Sequence, residues 1–142
     1  MQCSTLMKTD IECCNPDETV EDAALRMKER GIGFLPICYG QGNVIGTLTD
    51  RDIVLRVVAV GLKPSDTKVS EVFTRDVISC SPDDDLTVAE ALMSKHKKSR
   101  ILCLDRNETL VGVISLSDVA RVETGARSAA LLRSVAQREA RP

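Results

Sequence analysis

The chain contains no tryptophan, and its aromatic residues, Phe34, Tyr39 and Phe73, make up 2% of it. An aliphatic core is therefore required, and the stacked aromatic platforms of single-stranded nucleic-acid binders are excluded. Nineteen basic against 21 acidic residues leave a formal net charge of −2, which excludes a broad cationic footprint for nucleic acid or an anionic membrane. No apolar run approaches the roughly 20 residues of a membrane span. Met1-Gln2-Cys3-Ser4 lacks the basic and apolar regions of a signal peptide, so the expected compartment is the cytoplasm. His96 is the single histidine, and there is no Cys-x-x-Cys, no P-loop and no Gly-x-Ser-x-Gly elbow. No catalytic residue and no metal ligand is assigned on these grounds. The six cysteines read as buried thiols acting as small hydrophobes. The alternative is a metal- or redox-responsive cluster of Cys3, Cys13, Cys14 and His96.

What is present is a repeat. Residues 3–53 return as 69–119 without a gap. Asp10, Cys14, Pro16, Asp17, Ala23, Met27, Gly46 and Asp52 reappear as Asp76, Cys80, Pro82, Asp83, Ala89, Met93, Gly112 and Asp118. A unit of about 50 residues buries too little surface to be stable alone, so two such units are expected to pack about a pseudo-twofold axis. The division reads as a first domain over 3–60, a linker over 61–68, a second domain over 69–124 and a helical tail over 125–142.

Each unit reads β-α-β-β-α, an α/β (α+β) fold. A short extended stretch, Ile11–Cys14 or Val77–Cys80, leads through a proline turn into an amphipathic helix with apolar Val20, Ala23 and Met27, or Val88, Ala89 and Met93. Two strands follow, 33–38 with 44–48 and 100–104 with 110–114, and a second helix starts near Thr49 or Ser115. The basic run Lys95-His96-Lys97-Lys98-Ser99-Arg100 is either a solvated helix end or a local phosphate site. The helix Ile53–Val60 is too apolar to face water on every side, which predicts a homodimer.

Gly46-Thr47-Leu48-Thr49-Asp50-Arg51-Asp52 carries the sharpest chemistry, with its echo Gly112-Val113-Ile114-Ser115-Leu116-Ser117-Asp118. Both reduce to Gly-x-x-(Ser/Thr)-x-x-Asp at a strand-to-helix junction. Glycine permits close backbone approach, the hydroxyl sits at a helix start, and the carboxylate three residues on can accept from a pair of sugar hydroxyls. Ser/Thr-x-x-Asp is also a near-capping box. Its recurrence after matching strands favours the binding reading.

With Asn15-Pro16-Asp17-Glu18-Thr19-Val20, Ile32–Ile37, Ile45–Ile53 and Leu110–Val119, the chain resembles a tandem pair of CBS domains, a Bateman module of the stand-alone type. The resemblance covers residues 3–122. It implies adenosine-sized clefts, with Thr49 and Asp52 holding a ribose in one and Ser115 and Asp118 in the other. It places Ile11, Val77, Ile32 and Lys98 near the base and Arg51, Arg100 and Lys98 near phosphate. Two departures, Lys98 where the family often has an apolar residue and Leu102 where it often has proline, imply inequivalent sites. The function implied is a non-catalytic sensor of AMP, ADP, ATP or a related adenosyl compound, with no cofactor beyond this regulatory ligand. Its output would pass to an effector protein or through dimer geometry. The alternative is a ligand-free scaffold.

Overall fold

Thr19 begins the first long helix. Its hydroxyl accepts from the Asp22 N–H, Glu21 and Asp22 complement the helix N-terminus, and Val20, Ala23 and Met27 form the buried stripe of α2 (Val20–Arg30). The computed structural model describes residues 1–123 and 125–137; position 124 and residues 138–142 of the expected tail lie outside them. Before α2 comes a single short turn, α1 (Cys3–Leu6). After it, β1 (Phe34–Tyr39) and β2 (Asn43–Thr49) pair antiparallel, with a bulge between Ile37 and Cys38. Next, α3 (Asp50–Ile53) widens into a π-helical turn over Val54–Val58, where the Ala59 N–H reaches the Val54 carbonyl at 2.9 Å. The regular helix expected to run through Val58 thus keeps its length but not its hydrogen-bond spacing.

The second repeat has β3 (Ser79–Cys80), α4 (Leu86–His96), β4 (Arg100–Leu104), β5 (Leu110–Ser115) and α5 (Leu116–Val122). β3 runs parallel to β4, and β4 antiparallel to β5, with the bulge at the equivalent place between Cys103 and Leu104. In the tail, α6 (Ala126–Ala136) buries Leu131 and Val135 against α4. The Ser94 and Ser134 hydroxyls lie 2.7 Å apart between these helices, and Arg127 pairs with Glu90.

One difference between the repeats has a plain chemical cause. In the second, the Leu102 N–H donates to the Ile78 carbonyl at 3.2 Å and extends the parallel ladder. The equivalent residue in the first is Pro36, which has no N–H to give. The strand expected over Ile11–Cys14 is therefore reduced to one parallel bridge, Cys14 to Ile37, held by Cys14 N–H to Pro36 O at 2.8 Å and Cys38 N–H to Cys14 O at 2.9 Å.

The compact units do not follow the sequence repeats. One comprises residues 12–77 and the other joins residues 1–11 to 78–142. In the second unit, Cys3 N–H donates to Asp84 O, Ser4 N–H to Pro82 O, and Lys8 exchanges both backbone bonds with Val113. In the first unit, Val69 N–H donates to Glu18 O, Ser70 N–H to Pro16 O, and Thr74 exchanges both bonds with Thr47. These are repeat-equivalent positions throughout. Each repeat is completed by the segment that precedes the other. Cys3 joins the core of Cys80, Leu86, Ala89, Met93, Ile101, Cys103, Ile114 and Val119. Val69, Val72 and Phe73 join that of Cys14, Val20, Leu35, Ile37, Leu48 and Val57.

Candidate functional site

The two Gly-x-x-(Ser/Thr)-x-x-Asp motifs close on themselves. Thr49 ends β2 and caps α3: its Oγ1 accepts from the Asp52 N–H at 3.1 Å, and Asp52 Oδ2 accepts from the Thr49 N–H at 3.0 Å. Ser115 ends β5 and caps α5 in the same way, with both bonds at 3.1 Å to and from Asp118. Both are complete capping boxes, satisfying donors that a helix start leaves unpaired. The glycines also have a structural duty. A Cβ on Gly46 would fall on the Thr74 carbonyl oxygen and the Phe73 ring, and one on Gly112 on the Met7 side chain. The close approach at these glycines is made by the crossing segments of the chain itself.

Beyond the capping boxes the two aspartates differ. Asp118 is 3% exposed; its Oδ1 accepts from Arg121 Nη1 at 3.2 Å and lies 3.4 Å from Lys8 Nζ. Burial alone would raise its carboxyl, but Ser115 and Lys8 outweigh that and hold it below the ordinary carboxylate range. Asp52 is 13% exposed, and its carboxylate meets only longer contacts, Thr74 Oγ1 at 3.4 Å and Arg56 Nη2 at 3.7 Å. Thr74 occupies the position that Lys8 occupies in the other repeat. The first site thus has a hydroxyl where the second has an ammonium group. Arg56 is itself drawn aside, donating to the Val72 carbonyl at 2.8 Å.

Of the other residues singled out, Ile32, Arg51 and Val77 fall in the 12–77 unit with Thr49 and Asp52. Ile11, Lys98 and Arg100 fall with Ser115 and Asp118. Ile11, Ile32, Val77 and Lys98 are half-buried and Arg51 is exposed. Arg100 starts β4 directly opposite Ser115 in the antiparallel register. Lys8, Thr74, Arg56 and Arg121 were not singled out, although each faces a motif carboxylate. The available signal was the inequality of the repeat pair Lys8 and Thr74.

Comparison with known proteins decides what kind of module this is. The CBS domain family matches residues 3–59 and 69–125. The chain belongs to the CBS-domain family, as a tandem pair. It is similar to the CBS domain-containing protein YhcV of Bacillus subtilis, 39% identical over 80% of this chain and 79% of that protein. It is 31% identical to hypoxic response protein 1 of Mycobacterium tuberculosis over 82% of this chain and 80% of the relative. A crystal structure of hypoxic response protein I with two coordinated zinc ions superposes with a TM-score of 0.77 at 29% identity, covering 87% of this chain and 99% of that one. The CBS-domain pair of MJ0100, solved with 5′-methylthioadenosine and S-adenosyl-L-methionine, shares the fold with a TM-score of 0.77 at 22% identity, covering 86% of this chain and 98% of that one. CBS pairs are regulatory modules. Among the described residues of this CBS pair, no group of three or more His, Cys, Asp or Glu side chains is placed to hold a metal ion, and no helix is long and apolar enough to cross a membrane.

Proposed function

We propose that this CBS pair is a non-catalytic sensor of an adenosine-containing ligand, and that Thr49 and Asp52 carry the ribose contact. The observation that carries this reading is the contrast between the aspartates. A carboxylate met at 3.4 Å by a hydroxyl can exchange that contact for a pair of sugar hydroxyls at small cost. Asp118 would have to surrender two cations first. The adenosyl chemistry is supported by membership of the CBS family and by the ligands of the MJ0100 pair. Arg51, exposed beside Asp52, is the proposed phosphate contact, with Ile32 and Val77 against the base. Ser115 and Asp118, with Ile11, Lys98 and Arg100, form a second position of different and weaker preference.

The proposed output is a change in a homodimer or in its hold on an effector protein, because a ligand shifts an equilibrium only through unequal affinity for its states. Val54, Leu55, Val58, Val60 and Leu62 are exposed together after α3 and are the proposed dimer surface. The proposed compartment is the cytoplasm, where six unpaired thiols stay reduced. Calorimetric titration with AMP, ADP, ATP and S-adenosylmethionine tests the reading. Heat and a thermal shift are expected from at least one, and silence from all four at about 1 mM overturns it. A ligand-free scaffold is the second reading, favoured by the two closed capping boxes, and that silence would select it.

A further inference from the structure

One residue enters each motif from outside its own hairpin. Lys8 exchanges both backbone bonds with Val113 on β5, and Thr74 exchanges both with Thr47 on β2. Lys8 and Thr74 are equivalent positions of the repeat, as are Val113 and Thr47, so the two side chains are delivered to the same place. What they deliver differs. Lys8 brings an ammonium group 3.4 Å from Asp118 Oδ1, the same oxygen that accepts from Arg121 Nη1 at 3.2 Å. Thr74 brings a hydroxyl, 3.4 Å from Asp52 Oδ2 and 3.5 Å from Oδ1. That hydroxyl accepts from Arg56 Nη1 at 3.0 Å, and the same nitrogen donates to the Val72 carbonyl at 2.8 Å. The consequence for an incoming pair of sugar hydroxyls is unequal. At Asp52 they displace long contacts, and Arg56 keeps both of its other acceptors. At Asp118 they take the oxygen on which Lys8 and Arg121 both depend, and a sugar offers neither cation an anionic acceptor in exchange. Each aspartate has an arginine one helical turn further on, Arg56 at 3.7 Å and Arg121 at 3.2 Å. Lys8 is the cation that has no counterpart in the first repeat.

We propose that the residue at this crossing position selects which repeat takes the ribose: Thr74 admits it at Asp52, and Lys8 bars it at Asp118. Selection of this kind rests on the adenosyl reading given above. The selecting residue lies outside the repeat whose motif it controls. Thr74 stands in the segment that leads the second repeat, and Lys8 in the segment that leads the first. Each repeat's ligand preference is thus written at the start of the other. Lys8 acts as an internal occupant of the second position, held by charge rather than by packing, since its side chain is 63% exposed. Removing that charge leaves the bond from the Ser115 N–H intact, because the bond uses Asp118 Oδ2 and Lys8 meets Oδ1. With threonine at residue 8 the second position would match the first: an aspartate, a hydroxyl and one arginine.

The test titrates AMP, ATP and S-adenosylmethionine into the isotope-labelled full chain and follows its backbone amides by NMR. In wild type, ligand should move the amides of Thr49 and Asp52 and leave those of Ser115 and Asp118 unmoved at the same concentration. In Lys8→Thr, the Ser115 and Asp118 amides should respond to that ligand with a Kd lower than in wild type by about tenfold. In Thr74→Lys, the Kd read at Thr49 and Asp52 should rise by about tenfold. Lys8→Met keeps the apolar stem, drops the charge and should open the second position as Lys8→Thr does. Lys8 is on the surface, so its variants leave the core untouched, and amide dispersion reports folding in each. The Lys8 measurements therefore stand whether or not Thr74→Lys folds. A wild-type response at Asp118 equal to or stronger than that at Asp52 overturns the selection. So does a second position that stays silent in both Lys8 variants while Asp52 binds, or an unchanged Kd at Asp52 in folded Thr74→Lys; each of these leaves the adenosyl reading standing. Silence at every amide with all three ligands overturns both.

Discussion

Replacing each motif aspartate by alanine separates a structural carboxylate from a ligand-binding one. At Asp118, alanine removes the reciprocal bond to the Ser115 N–H and the contacts to Lys8 at 3.4 Å and Arg121 at 3.2 Å. Loss of a cap costs about 1 kcal/mol. A charged hydrogen bond to a buried carboxylate adds roughly 2 kcal/mol, kept toward the low end because the side chains of Lys8 and Arg121 are 63% and 70% exposed and regain water. The sum is about 3 kcal/mol. At Asp52 the cap is again about 1 kcal/mol, and the pair with Arg56 adds about 0.3 kcal/mol. For a chain of this size the expected losses in Tm are about 12 °C for Asp118→Ala and about 5 °C for Asp52→Ala. Ligand response should run the other way: saturating nucleotide, at about 100-fold over Kd, adds roughly 2.7 kcal/mol to wild type and Asp118→Ala and nothing to Asp52→Ala. Differential scanning fluorimetry with and without nucleotide reads both quantities. Equal losses of Tm, or a nucleotide shift that survives Asp52→Ala and disappears in Asp118→Ala, would refute the reasoning.

The Asp118 carboxyl lies below its unfolded value, so its stabilisation is present in full above about pH 4 and is lost as pH falls through the folded value. The stability gap between wild type and Asp118→Asn, read by urea unfolding at each pH, should close on acidification and be constant around neutrality. Gly46→Ala drives a Cβ onto a backbone carbonyl and a buried ring and should cost about 3 kcal/mol, whereas Gly112→Ala meets only the flexible Met7 side chain and should cost about 1 kcal/mol; chemical unfolding midpoints rank the two. Val58→Asp, at an exposed position among Val54, Leu55 and Val60, should convert the proposed dimer to monomer in light scattering while leaving the Tm of the monomer within about 1 °C. Leu102→Pro removes the N–H that reaches Ile78 and should shorten the β3–β4 ladder, losing about 1 kcal/mol and the hydrogen-exchange protection of that amide.

Local order was legible because each repeat wrote it twice. The Thr49 and Ser115 junctions, the α2 stripe and both antiparallel hairpins follow from periodicity and turn chemistry that the second copy corroborates. The α4 stripe differs from its reading at one place: Val88, counted into it, is 40% exposed, and Leu86 is buried with Ala89 and Met93 instead. Pro36 was also readable as a residue without an N–H, yet its effect on the strand before it depends on which carbonyl lies opposite, and that is a tertiary fact. The π turn at Val54–Val58 carries no signature in an apolar run that serves an α-helix equally well. The pairing of residues 1–11 with 78–142 was beyond local reading, since Lys8 and Val113 are far apart in the chain and nothing near either announces the other. For the same reason the charges around Asp118 were missed: Lys8 is an ordinary surface lysine until the segment carrying it is laid along β5. The glycines were read as ligand clearance when their neighbours are Thr74, Phe73 and Met7.

The exchange of leading segments has a consequence for the order in which this protein can be made. Synthesis delivers residues 1–11 before residues 12–77, but the strand that pairs with Lys8 contains Val113 and follows both. Residues 1–11 must therefore wait for their partner strand while residues 12–77 assemble around their own borrowed segment, and they dock only when the second repeat is out. Closing so long a loop is slow relative to forming the hairpins, so docking of residues 1–11 follows the hairpins in folding. Neither repeat can be cut out at its sequence boundary and remain whole: a fragment ending at residue 60 lacks Val69, Val72 and Phe73, and one beginning at residue 69 lacks Cys3 and Met7. The two halves are duplicated as text, yet each completes its core with the segment that leads the other.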